Sequence, residues 1–318
     1  MAAQIQLVRD QHIVPQWHLR KFADIDGWLW RYKQNALAKR SRPKGECWAR
    51  DFYEYDVNGK KTENKYERWL SEIENAAAPV HEALVNRQQL TQRDMVAWAS
   101  YVASLFLRTQ KVRSQLSAAM LQKFKEHTQS QDFVCDLQYD LLKNGELVFA
   151  QNLRKQIEEL RSNMDSSPSY HHLSSLHANT SLLGRALMAK AWEVLEAAPG
   201  KFFVISDCPV TTAELGSGRA IAGTGFGGES AVVVLPITPR HVFVASSSAI
   251  RWKSVGPPAA VDATNLLTIR FAQERVYAHL NSTEIKALVD VEINHITFGK
   301  DAFIPPEQSR EEQRASVQ

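Results

Sequence analysis

Along the chain, the spacing of apolar positions changes character three times. In "DQHIVPQWHLRKFA" (Asp10 to Ala23), Pro15 restricts the backbone while Leu19 and Phe22 begin an apolar face, so the stretch reads as a strand running into a helix. "GWLWRYK" then alternates bulky apolar and polar residues after Gly27, with Trp28, Trp30 and Tyr32 on one side, which predicts a half-buried strand. "VNGKK" around Asn58-Gly59 is a tight-turn signal.

From about Glu63 the period becomes helical. Tyr66, Leu70, Ile73 and Ala77 form one stripe, with Pro79 marking an expected kink or break. Thr91 is a plausible N-cap for a long second helix whose centre is apolar nearly all round. A third helical stretch is expected from roughly Val134 to Arg161. A fourth is expected from about His172 to Ala197, stopped by "APG".

The runs "KFFVISDCPVT", "SAVVVLPITP" and "HVFVASS" are β-branched and bounded by turn residues, as strands of one sheet would be. "ATNLLTIRFAQERVYAHL" returns to a helical period, and "VEINHITFG" reads as a short final strand. These elements predict one α+β domain over residues 1–306. Its strands fall within 1–60 and its helices within 63–198, followed by strands and a helix over 201–300. The expected architecture is a central bundle of about four helices packed on one mixed sheet built from N- and C-terminal strands. The polar tail at 307–318 is expected to be disordered.

Composition changes this picture little. Hydrophobic residues at 44% and charged residues at 23% are ordinary for a folded domain. A net charge of +3 permits contact with nucleic acid without demanding it. Lys and Arg do cluster between Arg31 and Lys65, interleaved with Tyr32, Trp48 and Tyr53. That run is either a solvated basic edge or a track for a nucleic acid strand. The cysteines (Cys47, Cys135, Cys208) are odd in number and widely separated, which argues against a disulfide framework or a structural zinc. No apolar run reaches membrane-spanning length and the N-terminus lacks a signal-like region, so the cytoplasm is the expected location and no membrane partner is expected.

Several residues carry candidate chemistry. Glu67 and Glu74 lie two helical turns apart on one face, beside the apolar stripe. They either flank the stripe at the solvent edge or face a polar pocket as metal ligands or arginine anchors. Arg108 follows the apolar "VASLFL" and needs a carboxylate partner or an anionic ligand. In "SDCP", Ser206 and Asp207 emerge at the end of an apolar strand, as a rigidly held site or as a turn bonding its own backbone. "GSGRAIAGTGFGGES" is neither a Walker loop nor a dinucleotide fingerprint, and reads as a mobile loop between strands. His171, His172 and His177 lack acidic partners at ligand spacing and read as surface histidines. The common hydrolase and deaminase signatures are absent.

Taken in order, these pieces resemble a mainly bacterial family of unknown function, DUF4238. "HIVPQWHLRKF" is similar to its opening His-x-Val-Pro-Gln-x-x-Leu-x-x-Phe, "ARDFYEYD" to its Asp-Phe-Tyr element and "YERWLSEIENAAAPV" to its helix with two glutamates. "FLRT", "FVISDCPV", "VVLPITP" and "ATNLLTIRFAQERVYA" resemble later elements, so the likeness runs from His12 to about Ala278. Gln110 stands where proline is usual and Cys208 where asparagine is common. The resemblance implies one polar set: His12, Asp51, Tyr53, Glu67, Glu74, Arg108, Ser206, Asp207 and Asn265. Within it, His12 is expected close to the Asp207 turn, whereas His18 is expected at the surface.

Two functions follow from that set. In the first, His12, Glu67, Glu74, Arg108 and Asp207 are catalytic and Tyr53, Ser206 and Asn265 bind substrate. Asp207, Glu67 and Glu74 then hold Mg²⁺ or Mn²⁺ for phosphodiester hydrolysis, with nucleic acid as substrate and a defence or toxin role by analogy. In the second, the same residues form a buried structural network in a binding module, with Arg108 on Glu67 or Glu74 and His12 on Asp207. Neither reading specifies an oligomeric state.

Overall fold

The computed structural model describes residues 9–54, 56–57, 60–61, 64–115, 155, 158, 168–216, 219–222, 226–228, 230–246 and 258–295. Strand β1 (Asp10–His12) leads through Pro15 into the short helix α1 (Gln16–Arg20). Three strands follow, β2 (Leu29–Tyr32), β3 (Lys39–Ser41) and β4 (Trp48–Arg50), then the two-residue strands β5 (Asp56–Val57) and β6 (Lys60–Lys61). β5 and β6 pair with Asp56 opposite Lys61, as the turn signal predicts.

Helix α2 (Lys65–Val85) buries Tyr66, Leu70, Ala77, Val80 and Leu84, with Ile73 half-buried beside them. It runs through Pro79 without ending there, because the other backbone bonds and the packed face outweigh one missing donor. Helix α3 (Gln92–Leu107) starts at a capping box: Thr91 Oγ1 accepts from Asp94 N, and Asp94 in turn accepts from Thr91 N. Its second half is buried on all sides, as its apolar centre requires, because α2 and helix α4 (Pro168–Met188) both pack on it. Residues 110–115 are helical as well. Of the stretch expected to be helical between Val134 and Arg161, only Lys155 and Glu158 are described, both helical. The tail at 307–318 lies outside the described residues.

The expected single mixed sheet is replaced by two larger antiparallel sheets and two small ribbons. One sheet has the order β3-β2-β13-β8, where β8 is Ile205–Ser206 and β13 is Val276–Ala278, so it does join N- and C-terminal strands. The other has the order β10-β9-β11-β12-β7, from β7 (Ala191–Glu196), β9 (Thr211–Gly216), β10 (Arg219–Ala222), β11 (Ala231–Thr238) and β12 (His241–Ser246). Both faces of β11 are covered, which is why "AVVVLPI" is apolar without alternation. The first half of the glycine-rich segment is the β9–β10 hairpin, with Gly216 opposite Arg219.

Further expectations are corrected. The fourth helix stops at Met188, and "AWEVLE" forms β7, paired along its whole length with β12. There Trp192 stacks edge-on against Phe243, which also meets Trp98 of α3 edge-on, so tertiary pairing overrides a helical period. The helical period of "ATNLLTIRFAQERVYAHL" ends at Phe271, and Val276–Ala278 form β13 between β2 and β8, paired with both. Residues 296–299 of the expected last strand lie outside the described residues, and its first two, Val291 and Glu292, end helix α6 (Thr283–Glu292). Ser282 caps it, and Ile285, Leu288 and Val289 face the core at helical spacing. With α5 (Pro258–Phe271), α6 covers the four-stranded sheet through Val204, Ile269 and Val276. Among the described residues, no helix is long and apolar enough to cross a membrane.

Candidate functional site

β1 is fixed from both sides. Its residues pair with β4, placing His12 directly opposite Trp48. The preceding residue, Gln11, lies opposite Ala49, is fully buried, and accepts from Tyr53 N at 2.6 Å while donating to Asn64 Oδ1 at 3.2 Å. Tyr53 OH donates to the His12 carbonyl at 3.0 Å. This ties the N-terminal strand to the start of α2, where Glu67 stands in the first turn.

Arg108 caps the C-terminal end of α3 and is 1% exposed. Its Nη1 donates to Glu74 Oε1 at 2.6 Å. Its Nε and Nη2 are buried and have no hydrogen-bond partner among the described residues. Burial alone would favour losing the proton, but Glu74, Tyr53 and Tyr101 more than offset this and the guanidinium stays charged. Burial pushes the Glu67 carboxyl up to about 7, against the charge of Arg108 and with help from Glu74 and Glu54. Burial also lowers the pKa of His12; a backbone bond to Lys44 and the charge of Glu74 oppose this, and Arg108 adds to it. The imidazole itself stands 3.5 Å from Gln16 Nε2. The Tyr53 phenol is raised by burial and feels Arg108, Glu67 and Glu74. His12, Tyr53, Glu67, Glu74 and Arg108 therefore share one electrostatic neighbourhood, built from β1, α2, the end of α3 and the residues after β4.

Ser206, Asp207 and Asn265 belong to a different construction. Ser206 Oγ donates to Cys208 O at 2.9 Å and accepts from Cys208 N, which is the local turn open as an alternative from the sequence. The Asp207 carboxylate accepts from the backbone of Gln273, Glu274 and Arg275 at 2.9, 2.9 and 3.0 Å. Burial nevertheless raises its pKa to about 6. Asn265 accepts from Val204 N at 3.0 Å and donates to Phe202 O at 2.8 Å, fastening α5 to the strand lead-in. Asp207, Glu67 and Glu74 are not assembled as a ligand set. Glu74 holds Arg108 and Asp207 holds the 273–275 turn, and among the described residues no group of three or more His, Cys, Asp or Glu is placed to bind a metal ion. Ile13, the residue after His12, does share a cavity with Asp207, although the His12 ring interacts with Gln16 and Lys44 instead.

His18 is not at the surface; it is fully buried. Its Nε2 donates to Pro236 O at 2.9 Å, so in the neutral ring Nδ1 accepts from Tyr101 OH at 2.7 Å. His81 Nε2 donates to Ile237 O at 2.8 Å, beside a register shift in β11. Nothing local to residue 18 marks it as buried, because its partners are 83 and 218 residues away. Lys111, which no local pattern marks, is likewise buried and donates to Phe271 O and Asn294 Oδ1. In the basic run, Arg31 pairs with Glu46, Lys33 with Glu274, and Arg40 with Asp24, while Arg42 lies 3.9 Å from the Trp28 ring centre. His177 is exposed and tilts against Trp69 at 5.3 Å.

A family model described as "Protein of unknown function (DUF4238)" matches residues 10–282. No curated protein and no solved structure matches the chain.

Proposed function

The chain belongs to the family described as Protein of unknown function (DUF4238), and from the geometry around Arg108 we propose that it is a hydrolase of the phosphodiesterase or nuclease class. One observation carries this reading: among the described residues, the fully buried guanidinium leaves Nε and Nη2 unpartnered. Those two atoms form the side edge of the guanidinium fork, whose parallel N–H bonds match two oxygens of a phosphate or carboxylate. Leaving charged donors unsatisfied costs a fold about 1–3 kcal/mol or more, and an oxyanion brought to that edge would recover it, with Glu74 occupying the opposite nitrogen.

The neighbours supply acid–base chemistry. Glu67, with a pKa near 7, retains a proton on about half of the molecules at neutrality and can donate it. His12, with a lowered pKa, is neutral there and can accept one. In phosphodiester hydrolysis, the attacking oxygen gives its proton to His12 as its bond to phosphorus forms. The leaving oxygen takes the Glu67 proton as its bond to phosphorus breaks, and Arg108 stabilises the oxyanion charge. Tyr53 positions His12 through the strand carbonyl. Such an activity suits a defence or toxin role.

The structural-network reading is favoured for Ser206, Asp207 and Asn265, whose oxygens are occupied by backbone bonds. The test is cleavage of single-stranded RNA and DNA, with Mg²⁺, Mn²⁺ or a chelator, by wild type and by Arg108→Lys, His12→Ala and Glu67→Gln. Cleavage in wild type, reduced about 100-fold or more in each variant, is expected. No wild-type cleavage, or equal cleavage throughout, rejects the proposal.

A further inference from the structure

The β1–β4 ribbon turns one face inward and one outward. Gln11 is buried and Ala49, opposite it, is half-buried. Side chains alternate along a strand, so Asp10 and His12 of β1 and Trp48 and Arg50 of β4 belong to the other face. Asp10 pairs with Arg50 and His12 with Trp48, and opposed residues of an antiparallel pair point to the same side. The indole of Trp48 is thus beside His12, and at 42% exposure it leaves a large apolar face in water.

The chain between β3 and β4 adds positive charge to this face. Lys39 and Lys44 are exposed and, like Arg50, form no ion pair among the described residues. The acid of this segment, Glu46, is turned inward at 1% exposure, where it accepts from Arg31 at 2.8 Å, from Tyr277 OH at 2.9 Å and from Ser41. Ser41 lies on the same side of β3 as Lys39, and the Lys44 backbone bonds the His12 ring, so both lysines border the ribbon's outward face. Arg40 and Arg42 turn the other way, onto Trp28, at 5.2 and 3.9 Å from its ring centre.

We propose that this face binds a single strand of nucleic acid, with phosphates on Lys39, Lys44 and Arg50 and one base stacked on Trp48. Exposed cations on both sides of an exposed indole suit such a strand: the charge tracks the backbone, and the ring accepts an unstacked base of any identity. A duplex keeps its bases paired and stacked, and cannot use the indole. The strand passes over His12, which lies opposite Trp48 and is bonded to the Lys44 backbone. This last point rests on the hydrolase reading: the attack that His12 serves then falls on a phosphodiester of the bound strand. The substrate is single-stranded nucleic acid rather than duplex or a small phosphate ester.

The test is fluorescence anisotropy of the full chain with a labelled 12-nucleotide single strand carrying hydrolysis-resistant phosphorothioate linkages, and with the matching duplex, over a range of salt. Co-sedimentation with phosphatidylserine vesicles is run beside it. Wild type is expected to bind the single strand about 10-fold more tightly than the duplex. Lys39→Gln with Lys44→Gln removes two phosphate contacts and flattens the log–log salt slope by about 1.4. Trp48→Ala removes the preference for the single strand, and Asp10→Asn tightens binding by relieving repulsion. Arg93→Gln with Arg185→Gln takes the same charge from exposed positions on α3 and α4 and is expected to leave affinity unchanged. The surface is overturned if wild type binds only vesicles or nothing, if the two double variants lose affinity equally, or if Trp48→Ala keeps the preference. Strand binding with these dependences but no cleavage of an unmodified strand upholds the surface and rejects the hydrolase reading. Cleavage unaltered in the Lys39, Lys44 variant rejects the surface and leaves the hydrolase reading standing.

Discussion

Arg108 Nη1 donates to Glu74 Oε1 at 2.6 Å, while the other edge of the same guanidinium meets no hydrogen-bond partner among the described residues. The pair neutralises a cation inside the helical layer without saturating it. Removing Glu74 leaves an uncompensated buried charge, so Glu74→Ala is expected to cost about 3–5 kcal/mol in urea unfolding. Arg108→Met together with Glu74→Leu fills the same space with apolar atoms and is expected to be near neutral or stabilising. Inorganic phosphate present at about 100 times its Kd is expected to stabilise wild type by about 2.7 kcal/mol, seen as a rise in Tm, and to leave the double variant unmoved. Equal stabilisation of both would remove Arg108 from the site.

Activity is expected to follow a bell in pH. His12 must be neutral to accept a proton, and burial lowers its pKa, so kcat/KM rises through a value below 6.5. Glu67 must be protonated to donate, so kcat/KM falls as pH passes about 7. The optimum lies between these limits, and Glu67→Gln is expected to lose the alkaline limb. A wild-type plateau reaching pH 9 would show that Glu67 is not the acid.

Stability in acid depends on His18. Its neutral ring is held by Tyr101 and Pro236, and burial, with His81 adding to it, lowers its pKa from 6.5 to about 3. As pH falls below 6.5 the unfolded chain binds the proton first, so the stability contributed by the neutral ring declines until pH falls through about 3. By pH 4 the loss is about 3 kcal/mol, at about 1.4 kcal/mol per pKa unit. Glu67 and Asp207, both raised, act in the opposite sense over part of this range. The informative quantity is therefore the difference between wild type and His18→Gln in urea unfolding at pH 7 and pH 4. That difference shrinks in acid if His18 is the cause, and stays constant if it is not.

Asp207→Asn separates scaffold from chemistry. An asparagine can accept through only one of its two terminal atoms, so at least one backbone N–H among Gln273, Glu274 and Arg275 loses its acceptor. A destabilisation of about 1–3 kcal/mol is expected. Assayed well below its Tm, the variant is expected to keep kcat/KM within about 3-fold of wild type. A loss of 100-fold or more in folded protein would return Asp207 to the catalytic group.

Periodicity and capping chemistry made much of the local structure legible. The α2 stripe from Tyr66 to Ala77, the Thr91 capping box and the strand at "GWLWRYK" follow from side-chain spacing, because each records which face of one element is buried. The same spacing placed Glu67 and Glu74 on one face, and the apolar run before Arg108 marked that residue as needing a partner. What spacing does not encode is which distant segment covers a face. Residues 191–196 became a strand because β12 offered a full edge, and 276–278 left the helical period because β2 and β8 offered one on each side. His18 was buried by Tyr101 and the Pro236 carbonyl. The polar set divided for the same reason: the Asp207 carboxylate met three backbone donors 66 to 68 residues away, while Arg108 met Glu74. Sequence determined the residue types and their local faces. The pairing of remote segments, settled by packing and hydrogen-bond satisfaction across the whole fold, decided which of them stand together.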